Sequence, residues 1–270
     1  MQIVFTGGLG NQMFEYALVM ALRHNGFRPK IDISYYDFFQ MHNGYEMERV
    51  FGIKENTVNK QGWHMFWLRT LHRLRPIGLY HVDASQFDET ILNNPATYLF
   101  GYWQDERYFS GIEDNVRKTF TFKDIDDKNI EIANNMQSHN SVSLHIRRGD
   151  YAEFGMTLMG DDYYRKAIGY IRNTVEDPFF YVFSDDEEAA KEIADNAGVN
   201  YLLILHNRGK DSYKDMYLMS QCKHNIIANS SFSWWGAWLN TNQEKIIIAP
   251  AVWSERSPFF KPQLRDWILI

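Results

Sequence analysis

The sequence predicts an α/β protein of two domains, the second of them a doubly wound parallel sheet. Three observations lead there. A short apolar run, residues 2–6, gives way to Gly7-Gly8-Leu9-Gly10 and then to a helical pattern. From residue 142 onward, apolar runs of strand length alternate with helical stretches. The uncommon polar residues of that half each come directly after one of those runs. Alternating strands and helices imply crossover connections, and right-handed crossovers bring every strand's C-terminal end to one edge of a parallel sheet. That edge is where open α/β sheets bind ligands.

The first unit is strand, glycine loop, helix. Residues 2–6 read as the strand. Met13, Phe14, Ala17, Leu18 and Ala21 recur on one helical face, and Gly26 lies near its end. The loop lacks the Lys-Ser/Thr of a phosphate loop and the third glycine of the dinucleotide fingerprint. It therefore predicts only a close approach of backbone at Gly8, with Asn11 and Gln12 placed either to bind sugar hydroxyls or to satisfy the turn. Residues 27 to about 125 are mixed in pattern. Within them, the basic and aromatic stretch 63–75 (WHMFWLRTLHRLR) reads as a domain helix with a solvated basic face. Resting on an anionic membrane surface is the alternative.

The second half is periodic. Strands are expected at 142–146, 179–183, 201–205, 225–228 and 245–249, the last closed by Pro250. Helices are expected at about 162–173, 186–196 (ended by Gly198), 212–221 and 232–239. The polar tract at 136–141 resembles a connector, which divides the chain into domains 1–138 and 139–270. Gly160-Asp161-Asp162 reads as a helix start, and Trp234, Trp235 and Trp238 as packing between helix and sheet.

Composition narrows the function. The chain has 270 residues, a formal net charge of −6 and no long basic run, which argues against a dedicated nucleic-acid binder. Cys222 is its single cysteine, so no intramolecular disulfide can form. That fits a reducing compartment, and Cys222 itself reads as a small buried hydrophobe. No apolar stretch is long enough to span a bilayer, and Met1-Gln2-Ile3 lacks the basic start of a leader. The expected location is the cytoplasm, with a peripheral place at the inner face of the membrane if the basic stretch binds lipid.

Four strand ends carry the candidate site. His145-Ile146-Arg147-Arg148-Gly149-Asp150 closes the first strand of this half; His145 and Arg147 share a face, and arginine forks suit the oxygens of a diphosphate. A surface Arg–Asp pair is the plainer reading. Ser184-Asp185-Asp186 ends the second strand. It can accept from the N1–H and N2–H₂ edge of guanine, hold a divalent metal, or cap the next helix. His206-Asn207-Arg208 ends the third. Asn229-Ser230-Ser231-Phe232 ends the fourth, where a serine N-cap and a helix N-terminus make either a phosphate seat or merely a cap.

Taken together, the segments Gly7–Ala17 (GGLGNQMFEYA), Ser143–Tyr151 (SLHIRRGDY), Ser184–Asp186 (SDD) and Asn229–Leu239 (NSSFSWWGAWL) resemble glycosyltransferase family 11, the α-1,2-fucosyltransferases. The resemblance implies two Rossmann-like domains facing a cleft (GT-B-like), the N-terminal one for the acceptor and the C-terminal one for the donor. It implies GDP-fucose as donor, inversion at the anomeric carbon, no metal and no cofactor. The acceptor would be the 2-hydroxyl of a β-linked galactose in a surface glycan, free or lipid-linked. Gly8, Asn11, Gln12, His145, Arg147, Arg148, Ser184, Asp185, Asp186, Asn229, Ser230, Ser231 and Phe232 are the expected donor contacts. Arg147 would stabilise the leaving diphosphate and Asp150 would act as base or orient an arginine, with Glu153 and Glu15 as further candidates for the base. A same-fold transferase using GDP-mannose and a non-catalytic glycan-binding protein are the competing readings.

Overall fold

The computed structural model describes residues 1–37, 42–59, 80–82, 86–148, 157–257 and 260–270. Two units are formed, Met1–Lys123 and Asp124–Ile270.

In the first unit, strand β1 (Gln2–Val4) leads into helix α1 (Leu9–His24). Strand β2 (Lys30–Asp32), helix α2 (Met47–Phe51), strand β3 (Tyr80–Val82), helix α3 (Thr90–Asn93), strand β4 (Tyr98–Phe100) and helix α4 (Glu113–Thr119) come next. The sheet is parallel, in the order β2-β1-β4-β3. Helix α1 forms because its apolar residues recur at helical spacing; Met13, Phe14, Ala17 and Leu18 are fully or almost fully buried. The first strand stops earlier than the apolar run suggests. The Thr6 N–H leaves the ladder and donates to the Glu15 carboxylate at 2.9 Å.

The second unit opens with helix α5 (Asp127–Gln137) and strand β5 (Ser141–Ile146). Then come α6 (Asp161–Thr174), β6 (Phe179–Ser184), α7 (Glu187–Ala197), β7 (Tyr201–Ile204) and α8 (Tyr213–Gln221). Strand β8 (His224–Ile226), helix α9 (Ser231–Leu239), and strands β9 (Ile247–Ala249) and β10 (Ile268–Leu269) complete it. The expected strands and helices are all present, within a few residues. Their sheet is parallel, in the order β10-β9-β8-β5-β6-β7.

Both faces of that sheet are covered, as a doubly wound fold requires. Phe180 and Val182 of β6 pack with Val142 and Leu144 of β5 against Tyr164, Ala167 and Ile168 of α6 and Ala190 of α7. Tyr181 and Phe183 point the other way, onto Ala133 and Met136 of α5 and Leu218 and Met219 of α8. Each of the larger aliphatic and phenylalanine side chains among them, fully buried, contributes about 1.5–3 kcal/mol. Because Ala133 and Met136 belong to this core, α5 is part of the second unit. The division therefore falls between Lys123 and Asp124, earlier than the expected boundary at 138. The polar tract taken for a connector is the end of α5 and its turn into β5. Asp126 marks the new start, since its carboxylate caps α5 by accepting the Asn129 N–H at 3.0 Å.

The tryptophans of α9 are core, as expected. Trp234, Trp235 and Trp238 are at most 1% exposed, and the Trp234 indole N–H donates to the Pro262 carbonyl at 2.7 Å. Cys222 is buried too, and burial pushes its thiol pKa up, so it is inert as a nucleophile. Among the described residues, no helix is long and apolar enough to cross a membrane.

Candidate active site

Strand order locates the site in the second unit. From β5 the chain passes to β6 on one side, and from β8 it passes to β9 on the other. Where neighbouring connections diverge, the strand ends leave a crevice. The β5/β8 junction is that switch point, with the Arg147 loop on one wall and the start of α9 on the other.

The register sets the contacts. Ile146 pairs with Ser184, so the residues just beyond each strand lie side by side. Arg147 Nη1 is 3.0 Å from Asp185 Oδ2. The Arg148 N–H donates to Asp185 Oδ1 at 3.0 Å, and the Arg148 guanidinium pairs with Asp161 at the start of α6. One carboxylate thus holds two consecutive arginines at the sheet edge, both guanidinium groups still partly exposed.

His145 lies just inside, 5% exposed, its ring centroid 6.2 Å from that of Phe232. Its Nδ1 is buried with no hydrogen-bond partner among the described residues. Burial, and then the charge of Arg147, press its pKa down to about 3. The imidazole is neutral near pH 7 and offers a hydrogen bond rather than a charge.

The serine and two aspartates after β6 divide their work. Ser184 Oγ accepts the Asp186 N–H at 3.0 Å. Asp186 Oδ1 accepts the Ala189 N–H at 3.0 Å and so caps α7. Asp185 is the arginine partner. Beside it opens a cleft of about 540 Å³, lined by Asp185, Asp186, Glu187, Glu188 and Lys191.

On the opposite wall, Ser230 caps α9 by accepting the Phe232 N–H at 3.3 Å. Ser231 begins the helix, whose N-terminus carries the positive end of the helix dipole. Asn229 braces this turn, donating to the carbonyls of Thr157 at 2.8 Å and Trp253 at 3.0 Å. The third strand end is a support. Asn207 donates to Asp215 at 2.8 Å and to Asn129 at 2.9 Å, and burial pushes the Asp215 carboxyl up to about 7.

In the first unit, Gly8 is the N-cap residue of α1. Gly7 has φ +70°, and a Cβ there would lie 2.5 Å from Asn11 Nδ2, so only glycine fits. Gln12 is fully buried, and both ends of its amide are used inside the unit. It donates to the carbonyls of Gly7 at 3.2 Å and Gly44 at 2.8 Å and accepts the Glu46 N–H at 2.8 Å. The turn-satisfying reading is the one this geometry supports for Gln12. Glu15, with no exposed surface, accepts from the Thr6 N–H and hydroxyl, which ties it to the loop base. Asn11 accepts from Gln104 Nε2 at 2.6 Å. Gln104 was missed in the sequence because it lies in the mixed region. The only signal was Gly101-Tyr102-Trp103-Gln104 directly after a three-residue strand. Gly149, Asp150, Glu153 and the basic stretch 63–75 lie outside the described residues.

The model of the family described as glycosyl transferase family 11 matches residues 1–270. The chain belongs to that family. Over 280 residues this family 11 protein is 32% identical to an alpha-1,2-colitosyltransferase of Escherichia coli, covering 98% of this chain and 96% of that one. Human galactoside alpha-(1,2)-fucosyltransferase 1 is 26% identical over 281 residues, covering 97% of this chain and 72% of the relative. Among solved structures, NodZ alpha-1,6-fucosyltransferase soaked with GDP-fucose shares the fold. The TM-score is 0.50 at 14% identity, over 88% of this chain and 92% of that one. The family 11 chain is therefore an enzyme, a galactoside α-1,2-fucosyltransferase-like glycosyltransferase acting on a glycan. Its two parallel α/β units match the expected Rossmann-like fold, and the non-catalytic glycan-binding reading is excluded.

Proposed function

We propose that this enzyme moves a fucosyl group, with inversion, from GDP-fucose to the 2-hydroxyl of a β-galactoside in a surface glycan. One observation carries the reading. At the β5/β8 switch point, Arg147 and Arg148 stand on one wall and the capped N-terminus of α9 on the other. The diphosphate sits between them. The carboxylates lining the neighbouring cleft repel phosphate but accept from guanine N–H groups or ribose hydroxyls, so the nucleoside lies on that side.

The bond from the anomeric carbon to the β-phosphate oxygen breaks as the acceptor hydroxyl oxygen bonds to the opposite face. Charge then builds on the departing GDP, and Arg147 with the α9 N-terminus stabilises it. The hydroxyl proton passes to a carboxylate, for which Asp150 is the candidate. No metal or cofactor besides the donor is required by this scheme. A cytoplasmic location, with the basic stretch 63–75 resting on anionic lipid, belongs to the same proposal; the absence of sedimentation with anionic vesicles would remove the lipid contact.

The test is incubation with GDP-β-L-fucose, excess chelator and lactose, with NMR of the product. An α-fucoside on the galactose 2-position is expected. A β-fucoside would reject inversion, and activity restored only by a divalent cation would reject metal independence. The relative's name makes a colitosyl donor the second reading. Parallel assays with GDP-colitose, and with GDP-mannose as the more distant competitor, separate the donors.

A further inference from the structure

The first unit has a strand-end edge of its own. From β1 the chain passes to β2 on one side, while β4 flanks β1 on the other. The loops after β1 and β4 therefore lie side by side at the C-terminal edge of this parallel sheet, the edge at which a sheet of this kind receives a ligand. The β1 loop is the glycine turn, and the β4 loop is Gly101-Tyr102-Trp103-Gln104.

These loops are joined. Gln104 Nε2 donates to Asn11 Oδ1 at 2.6 Å. The Tyr102 ring lies so close to the turn that a Cβ on Gly7 would come within 3.2 Å of it. The Tyr36 hydroxyl holds the Gly7 carbonyl at 3.0 Å. Trp103, though not glycine, takes φ 53°, a conformation that L-residues rarely adopt and that concentrates at binding sites. Trp103 is buried at 1% exposure, whereas its neighbour Tyr102 remains 44% exposed. The left-handed turn thus sends one aromatic inward and leaves the other at the sheet edge.

We propose that Tyr102, with the Asn11–Gln104 amide pair, is the acceptor-sugar platform of the enzyme. A pyranose offers a face of C–H groups and a rim of hydroxyls. The electron-rich face of a tyrosine ring meets the first, and paired amides, with donors and acceptors together, meet the second. This assigns Asn11 to the acceptor instead of the donor and makes Tyr102 a specificity-determining residue. It rests on the transferase reading above.

The test uses the full chain as wild type, Tyr102→Ala and Tyr102→Phe; the side chain is half-exposed, so all three fold. Saturation-transfer NMR with lactose, methyl β-galactoside and N-acetyllactosamine, with and without GDP, reports sugar binding. Calorimetry reports GDP binding, and GDP release from GDP-fucose is measured with and without lactose. Tyr102→Ala is expected to weaken sugar affinity and raise acceptor KM about tenfold, leaving GDP affinity and acceptor-free release unchanged. Tyr102→Phe restores the wild-type values. Unchanged sugar affinity in Tyr102→Ala overturns the assignment, as does an equal loss of GDP affinity, or no saturation transfer from wild type to any of the three sugars. If GDP fails to bind while lactose binds in a Tyr102-dependent way, the donor reading falls and this one stands.

Discussion

Arg147 Nη1 lies 3.0 Å from Asp185 Oδ2, while the other oxygen of the same carboxylate takes the Arg148 N–H. The two side chains come from neighbouring strand ends, so the pairing of β5 with β6 aims the guanidinium before any donor binds. A cation fixed in this way loses little freedom when the diphosphate arrives, and such preorganisation is the main source of transition-state stabilisation at charged leaving groups.

Arg147→Ala should therefore lower kcat by about a hundredfold, in line with the loss of one fixed charge-stabilising donor elsewhere. Its melting temperature should barely move, because a partly exposed ion pair contributes about 1 kcal/mol or less. Steady-state kinetics and a thermal melt on the same sample check both halves. Near-normal turnover would remove Arg147 from the mechanism.

Ser230 allows the cap and the phosphate seat to be separated. Aspartate caps a helix as well as serine does, so Ser230→Asp should keep stability within about 0.5 kcal/mol of wild type. Its negative charge should weaken GDP binding by about tenfold or more. If GDP affinity survives, Ser230 serves the helix alone.

The Asp215 carboxyl gives a pH signature. Burial raises its pKa in the folded state to about 7, above its value in the unfolded chain, so the native state binds the proton more tightly. Its contribution to stability is full below the unfolded value, near pH 4, and is lost as pH rises through about 7. Asp215→Asn keeps an acceptor for Asn207 and removes the titration. The variant should melt a few degrees above wild type at pH 8 and not at pH 5, by differential scanning calorimetry. Equal differences at both pH values would contradict the buried-carboxyl account.

Helix α9 is seated by Gly236. A Cβ there would lie 2.8 Å from Met219 Cβ, an atom next to the α8 backbone that cannot swing away. Gly236→Val should cost about 1–3 kcal/mol through overpacking, measurable by denaturant titration, and should shift the α9 N-terminus enough to weaken GDP binding.

The second unit was legible because its elements are long enough to show their period. Strands β5 and β6 each run six residues, and α6 and α7 run fourteen and eleven. The polar strand ends emerged from that pattern, but the meeting of Arg147 with Asp185 did not. Strands β2, β3 and β4 are three residues each, too short for alternation to register, and with them went the Tyr102–Gln104 loop. The boundary was misplaced for a related reason. Polar residues ending a helix read like a linker, and only the packing of Met136 against Tyr181 and Phe183 of β6 shows that α5 belongs to the second unit. Which carboxylate of Asp185 and Asp186 caps α7 and which holds the arginines depends on register, which sequence alone does not carry.

The most direct test of the donor site is calorimetric titration of GDP, in excess chelator, into wild type and Arg147→Ala. Saturable binding to wild type that weakens about tenfold or more in the variant is expected. No binding to wild type, or equal binding to both, would contradict a diphosphate site between Arg147 and the start of α9.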